Sequence, residues 1–313
     1  MAQYLQKEEV SCCICLQLDA DQIAVGRDYE YSTSDDDFVA VKCRNCSLVY
    51  LTPRPTINEF TKIYPSNYHA FEFSPDQFGL VFQVRRRLEA RRLLSWCKGL
   101  GENARILDIG CGDGFHLEIL RDFGRKSWQL EGVDFDERAA TIARNKGLNI
   151  HQGLLEELNL PKASYDLAFL IQTIEHVADP PALLRQVKSL LRSGGKVVIV
   201  TDNTDSLDAK LFANRYWGGY HFPRHWNLFN QKSMRLLAQQ TGFTVADLTT
   251  AVSPVNWVYS VRNTLVDKQA PTWLFELFSL KSTISLSVFT ALDTLLQFVG
   301  RGALLNAILE RRD

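Results

Sequence analysis

Apolar residues recur along this chain with two periods. Alternating or continuous apolar runs at 104–109, 129–134, 148–151, 165–171, 197–200 and 243–249 predict strands. Between them, apolar residues at helical spacing predict helices from about 115, over 137–146, from Pro180 to Arg192 and over 231–241. Asp179-Pro180 opens the third of these helices and Gly242 closes the last. Upstream, 76–98 reads as an amphipathic helix in which Leu80, Val84, Leu88 and Leu94 alternate with Arg85, Arg86, Arg87, Arg91 and Arg92. Such an arginine run either binds phosphate or an anionic surface or is a solvated face. The strand and helix order is that of an α/β protein.

One junction stands out. The strand at Arg105–Ile109 runs into Gly110, Gly112 and Gly114, and helical spacing resumes at Phe115. Glycine is needed where the backbone takes positive φ and where a ligand must approach it without meeting a side chain. The glycines lie closer together than in a dinucleotide fingerprint, which argues for a nucleoside without a pyrophosphate. The second strand ends on Asp134, a carboxylate able to accept from both ribose hydroxyls.

With LDIGCGDG, GVDFD, YDLAFLIQTIEHVADP and LRSGGKVVIVT in order, the sequence resembles the class I S-adenosylmethionine-dependent methyltransferases. The resemblance implies a doubly wound, Rossmann-like sheet of seven strands whose last strand is antiparallel, matched here by 303–309. It implies S-adenosyl-L-methionine as cofactor, held around Asp108, Gly110, Cys111, Gly112, Gly114, Asp134, Phe135 and Gln172. After Gly153 the family often carries an acid beside adenine; this chain has Leu154 and Leu155, so the backbone of one of them is the expected substitute. The segments YLTPRPTINEF and IYPSNYHAF, and Pro223-Arg224-His225 followed by Asn-Leu-Phe, resemble bacterial members found with polysaccharide or quinone-type substrates.

A hydroxyl acceptor needs a base, for which histidine is suited. His176, His221 and His225 fall on the expected rim; His225 is favoured, with Arg224 beside it as a cation for an anionic acceptor. The competing readings are a domain that binds cofactor without catalysis, and a protein or RNA methyltransferase. Net charge is −1, which does not favour nucleic acid.

The cysteines add a second feature. Cys12, Cys15, Cys43 and Cys46 form two Cys-x-x-Cys pairs able to present four thiolates to a structural Zn2+, with Cys13 outside the set. Four thiolates leave no open position for catalysis; reduced, buried or redox-active cysteines are the alternative. Asp35 to Asp37 is expected at a solvated loop tip, and Tyr64, Tyr68, His69, Phe71 and Phe73 either cover the acceptor pocket or pack the two parts together. The expected organisation is a zinc-ribbon-like module at 1–75, a core at 76–253, an apolar helical insertion at 254–302 and the final strand at 303–313. Lys281 and Asp293 keep the insertion from reaching the ~20 uninterrupted apolar residues of a spanning helix. Its two apolar hairpin helices, with 273–299 as the contact region, would touch the inner face of a membrane, form a homodimer face or cover the sheet. The polar N-terminus, lacking the apolar core of a signal peptide, and the cysteine usage point to a cytoplasmic protein.

Overall fold

The computed structural model describes residues 4–65 and 75–312, with only the backbone described over 75–81. Tyr68, His69, Phe71 and Phe73 lie outside those residues.

Seven strands form the main sheet in the order Phe243–Ala251, Leu304–Arg311, Leu191–Asp202, Tyr165–Ile171, Arg105–Ile109, Gln129–Asp134, Asn149–Gln152. Tyr165–Ile171 is central and buried at every position, as its unbroken apolar run requires of a strand covered on both faces. It pairs in parallel with Arg105–Ile109 and Leu191–Asp202, and the parallel set continues outward to Asn149–Gln152. Leu304–Arg311 enters antiparallel between Leu191–Asp202 and Phe243–Ala251. This is a seven-stranded mixed sheet of the Rossmann-like methyltransferase kind.

Helices Phe115–Phe123, Glu137–Asn145, Pro180–Leu190 and Gln231–Gln240 occupy the expected stretches. Asp136, Asp179 and Asn230 cap three of them through side-chain bonds to backbone N–H groups. The third stops at Leu190, two residues before Arg192, because the following strand starts at Leu191, with an irregularity at Gly194-Gly195. Upstream, Pro75–Trp96 buries Ala90 and Leu93, with Cys97 just beyond it, rather than the expected stripe; Val84 and Leu88 are exposed. Its C-terminal end meets Ile106, Leu120 and Phe169, while further up Phe82 and Arg85 meet the Phe115 ring and Arg86 pairs with Asp122.

A second sheet of four strands is built by two distant stretches. Ala20–Gly26, Phe38–Cys43 and Val49–Leu51 supply three strands, and Asn227–Leu228 the fourth, paired with Tyr50 and Val49. Cys12, Cys43, Cys46, Leu48 and Tyr50 belong to the same core cluster as Leu107, Ile199 and Leu309. Asp36 is not at a solvated tip: it is buried, accepting from Leu5 N–H, Lys7 Nζ and Ser34 Oγ at 2.6–2.8 Å.

The insertion has three helices rather than two: Val255–Asp267, Thr272–Glu276 and Thr283–Phe298. The first is integral to the fold, with Trp257 and Val258 buried and Ser260 Oγ accepting from Gly218 N–H at 2.8 Å. Among the described residues no helix is long and apolar enough to cross a membrane.

Candidate active site

The carboxyl ends of the parallel strands converge on the glycine turn. Gly110, Gly112 and Gly114 all take positive φ, at 73°, 54° and 82°. A Cβ on Gly110 would lie 2.5 Å from Thr173 Oγ1, and one on Gly114 would run into Leu148, whereas one on Gly112 would meet nothing within 4 Å. The turn is therefore packed from below and open above, as a backbone cradle must be. Asp134 aims into it: its Oδ2 accepts from Gly112 N–H at 2.7 Å and its Oδ1 from Asp136 N–H at 2.9 Å. A carboxylate has about four acceptor sites, so room remains for two hydroxyl donors. Burial raises the Asp134 carboxyl to about 6, against the two backbone N–H bonds that lower it. Asp108 is almost fully buried, and its Oδ2 has no hydrogen-bond partner among the described residues, with His116 Nδ1 standing 3.7 Å away. An orphaned acceptor, an open glycine and an inward carboxylate together fit the ligand set expected for S-adenosylmethionine.

Other expected cofactor residues divide between surface and core. Cys111 turns inward beneath Gly132. Phe135 is partly exposed, its ring 5.6 Å from Phe60 and 6.2 Å from Tyr64. Gln172 is exposed with φ of 52°, its N–H donating to the Val200 carbonyl. Leu155 puts its side chain into the core and its carbonyl on Gln186 Nε2, whereas Leu154 is half-buried. The Leu154 N–H donates to Glu157 Oε2 at 3.4 Å and its carbonyl accepts from Glu157 N–H at 3.0 Å, so the backbones of both residues are partly engaged.

The histidines gather a few ångströms further on. His176 and His225 meet edge to face with ring centroids 4.6 Å apart, and His221 lies 4.9 Å from His225. Nδ1 of His176 is 3.1 Å from the Arg224 carbonyl and 2.9 Å from the Tyr64 hydroxyl. A carbonyl only accepts, which assigns the proton to Nδ1. Nδ1 of His225 is likewise 2.8 Å from the Gly219 carbonyl, and 3.2 Å from Asp202 Oδ2. Both rings thus keep Nε2 as the free acceptor. Burial drives the His176 pKa well below its ordinary value, helped by the neighbouring His225 and His221. For His225 burial acts downward too, but the Asp202 hydrogen bond and charge, with Glu175, outweigh it and the pKa goes up.

Two carboxylates that the sequence did not place among the site residues complete this cluster. Glu175 is fully buried, accepts from Thr201 Oγ1 at 2.8 Å and leaves Oε1 without a partner among the described residues; burial raises it to about 7, with His225 opposing and Asp202 adding. Asp202, also fully buried, is held by Asn256 Nδ2 at 2.6 Å. Glu175, His176 and His225 bring ligand atoms within 4.8 Å of one another, a spacing that would also suit a divalent cation. Both carboxylates follow strands legible in the sequence, Glu175 after 165–171 and Asp202 after Val197–Val200, at the carboxyl end of the sheet, but their pairing with His225 was not legible. Asn256 carried no sequence signal, since only the fold brings it near, whereas Tyr64 belongs to the aromatic stretch expected over the pocket or between the two parts.

Arg224 stands apart from the expectation of a cation facing an acceptor. Its buried guanidinium is bound to Asp28 through Nη1 and Nη2 at 3.2 and 2.8 Å, to the Ile63 carbonyl through Nε at 2.6 Å, and covers the Tyr31 ring. It ties the loop to the small sheet. His221 is committed on one side to Glu30 Oε1 at 2.8 Å.

The four predicted zinc ligands do meet. The Sγ atoms of Cys12, Cys15, Cys43 and Cys46 all lie within 4.8 Å of one another, with Cys12 and Cys46 at 3.4 Å. Tetrahedral zinc with bonds of about 2.3 Å needs sulfurs a little under 4 Å apart, so the set fits the ion. Cys13 is outside it, facing Asn227 Oδ1.

A family model described as a methyltransferase domain matches residues 82–248, more than half of the chain. The chain belongs to that family. Among curated methyltransferases it is 30% identical, over 52% of its own length and 59% of the relative's, to a probable S-adenosylmethionine-dependent methyltransferase of Mycolicibacterium smegmatis. It is 35% identical, over 36% of its length and 45% of the relative's, to a ubiquinone biosynthesis O-methyltransferase of Parvibaculum lavamentivorans. The chain thus spans about half the length of these curated relatives. Phosphoethanolamine N-methyltransferase 2 of Haemonchus contortus, solved with S-adenosyl-L-methionine, shares the fold at a TM-score of 0.52 and 17% identity, covering 94% of this chain and 68% of that one. In this chain the glycine turn and Asp134 fall inside the matched span, whereas the cysteine cluster and the apolar insertion fall outside it.

Proposed function

We propose that this chain is an S-adenosylmethionine-dependent methyltransferase that methylates a hydroxyl of a small-molecule, glycan or lipid-linked acceptor, with His225 as base. The observation that carries the reading is the His225–Asp202 pair, 3.2 Å apart, at the same end of the sheet as the open glycine turn. The ubiquinone O-methyltransferase relatives support oxygen as the atom methylated.

Bound S-adenosylmethionine supplies an electrophilic methyl group on sulfur. The chain's task is alignment and exclusion of water. Gly112 would let the backbone approach the cofactor, Asp134 would accept from the ribose hydroxyls, Asp108 Oδ2 would accept from a polar group of the methionine part, and the backbone of Leu154 or Leu155 would border adenine. Phe60, Tyr64 and Phe135 form an aromatic wall beside this site. His225 Nε2 takes the acceptor's proton while Asp202 and Glu175 stabilise the imidazolium. His176, held neutral, orients the acceptor hydroxyl. The four cysteines hold a structural zinc, and with all seven cysteines free of disulfides the chain suits a reducing cytoplasm.

Calorimetric titration with S-adenosylmethionine, then release of S-adenosylhomocysteine over a panel of phenolic, quinol and glycan acceptors, tests this reading. His225→Ala should lower kcat about 100- to 10,000-fold with cofactor affinity unchanged. Tight binding without turnover on any acceptor would instead favour a cofactor-binding adaptor.

A further inference from the structure

The helix Thr283–Phe298 has a face that none of the described residues covers. Ile284 is 77% exposed and Phe298 84%, with Val288, Leu292, Leu295 and Val299 between and beyond them along one side. Such a stripe spans close to the helix's full length of about 24 Å. Trp273, 65% exposed, and Leu277 extend it from the preceding short helix, which also carries the exposed Glu276. The helix has one charged residue, Asp293, and it is fully buried, accepting from Ser253 N–H, Ala303 N–H and Trp257 Nε1. The exposed side is therefore uncharged, and both ends are marked by exposed cations, Lys281 before and Arg301 after.

That charge pattern separates the candidate occupants. In an isologous pair of helices the ends of one copy meet the ends of the other, in either orientation, and here both ends are cationic. A second copy would bring Lys281 and Arg301 against like charge. An anionic lipid surface accepts the same pattern, with apolar side chains in the acyl boundary, cations at the headgroups and a tryptophan at the interface. The face also sits at the ligand end of the sheet: the insertion leaves at Ala251 and returns at Leu304, which pairs with Asp202.

We infer that residues 273–299 dock this chain on an anionic membrane surface, the helix lying in the interface plane, so that an acceptor anchored in the bilayer reaches the site. The identity of the acceptor rests on the methyltransferase reading above; the docking surface does not.

Co-sedimentation of the full chain with vesicles of phosphatidylglycerol and phosphatidylcholine, against phosphatidylcholine alone, tests it without turnover. The chain should pellet with the mixed vesicles and several-fold less with the neutral ones. I284E with F298E should cut binding at least tenfold at unchanged melting temperature. K281E or R301E should each cost roughly fivefold, on anionic vesicles only. Cofactor affinity measured on the same variants should stay at the parent value, which separates failure of docking from failure of the site. Absence of vesicle binding by the parent chain overturns the inference, whether sedimentation velocity then shows a monomer or a dimer dissolved by I284E.

Discussion

Asp202 and Asp134 are both buried carboxylates at strand ends, and their surroundings give them different work. Asp202 stands against an imidazole, so Asp202→Asn should lower kcat at least tenfold and displace the apparent pKa of the base downward. The kcat/KM profile of the parent should rise with pH through a value above the ~6.5 of free histidine and then level. Asp134 faces backbone N–H groups, and its charged form is the one that accepts from two ribose hydroxyls. With its carboxyl at about 6, cofactor affinity should fall as the pH drops below 6, a dependence that Asp134→Asn should flatten while weakening binding. Calorimetry from pH 5 to 8 checks both statements. At this scale the sequence disclosed the glycines and Asp134, since spacing alone marks a turn and a terminal acid. It misjudged Arg224, because the position of a basic residue after a proline says nothing of the buried Asp28 waiting almost 200 residues upstream. Arg224→Leu would leave that carboxylate buried and unpaired, and should cost about 3–5 kcal/mol of stability, read as a shift in denaturant midpoint.

Among elements, the order of strands and helices was legible because each has a clear period. Tyr165–Ile171 is unbroken apolar sequence and is the central strand; Glu137–Asn145 has its cap and its apolar stripe in place. Pro75–Trp96 shows where periodicity misleads: Arg86 pairs with Asp122 of another helix and Arg92 with Glu89 of its own, Arg87 and Arg91 are exposed, and two of the expected core positions, Val84 and Leu88, lie open. Helical spacing reports a face but not whether a partner covers it. The insertion's length was visible too, but not that its first helix supplies Asn256 to the site. Asn256→Ala should therefore reduce turnover about tenfold without altering vesicle or cofactor binding, as a steady-state comparison at saturating cofactor would show. The proposed zinc belongs to this scale as well. A strong chelator should remove it and lower the melting temperature, since Cys12, Cys43 and Cys46 lie in the buried cluster that Leu48 and Tyr50 share with Leu107, Ile199 and Leu309 of the main sheet.

Across the whole molecule, one face of the four-stranded sheet shares a hydrophobic cluster with the seven-stranded sheet, through Val41, Cys43, Leu48 and Tyr50. The sequence suggested a small module set before a larger core, a natural inference from clustered cysteines, and it could not show that the smaller sheet borrows Asn227–Leu228. Non-local strand pairing leaves no trace in local pattern. A shortened chain lacking residues 4–56 would lose the partners of Asn227 and Leu228, the Asp28 ligand of Arg224 and the Leu48 side of the core. It should be insoluble or molten, with weak near-ultraviolet circular dichroism, even though the family match begins only at residue 82. The borrowed strand also has a bearing on synthesis. On the ribosome the stretch Val49–Leu51 emerges early, yet its outer edge stays bare until Asn227–Leu228 follows, an interval on the order of ten seconds or more at ordinary elongation rates. A nascent chain in that interval offers an unpaired β edge to any neighbour, so slowing translation between the two stretches, or withholding chaperones, should raise the aggregated fraction well before it affects the finished protein.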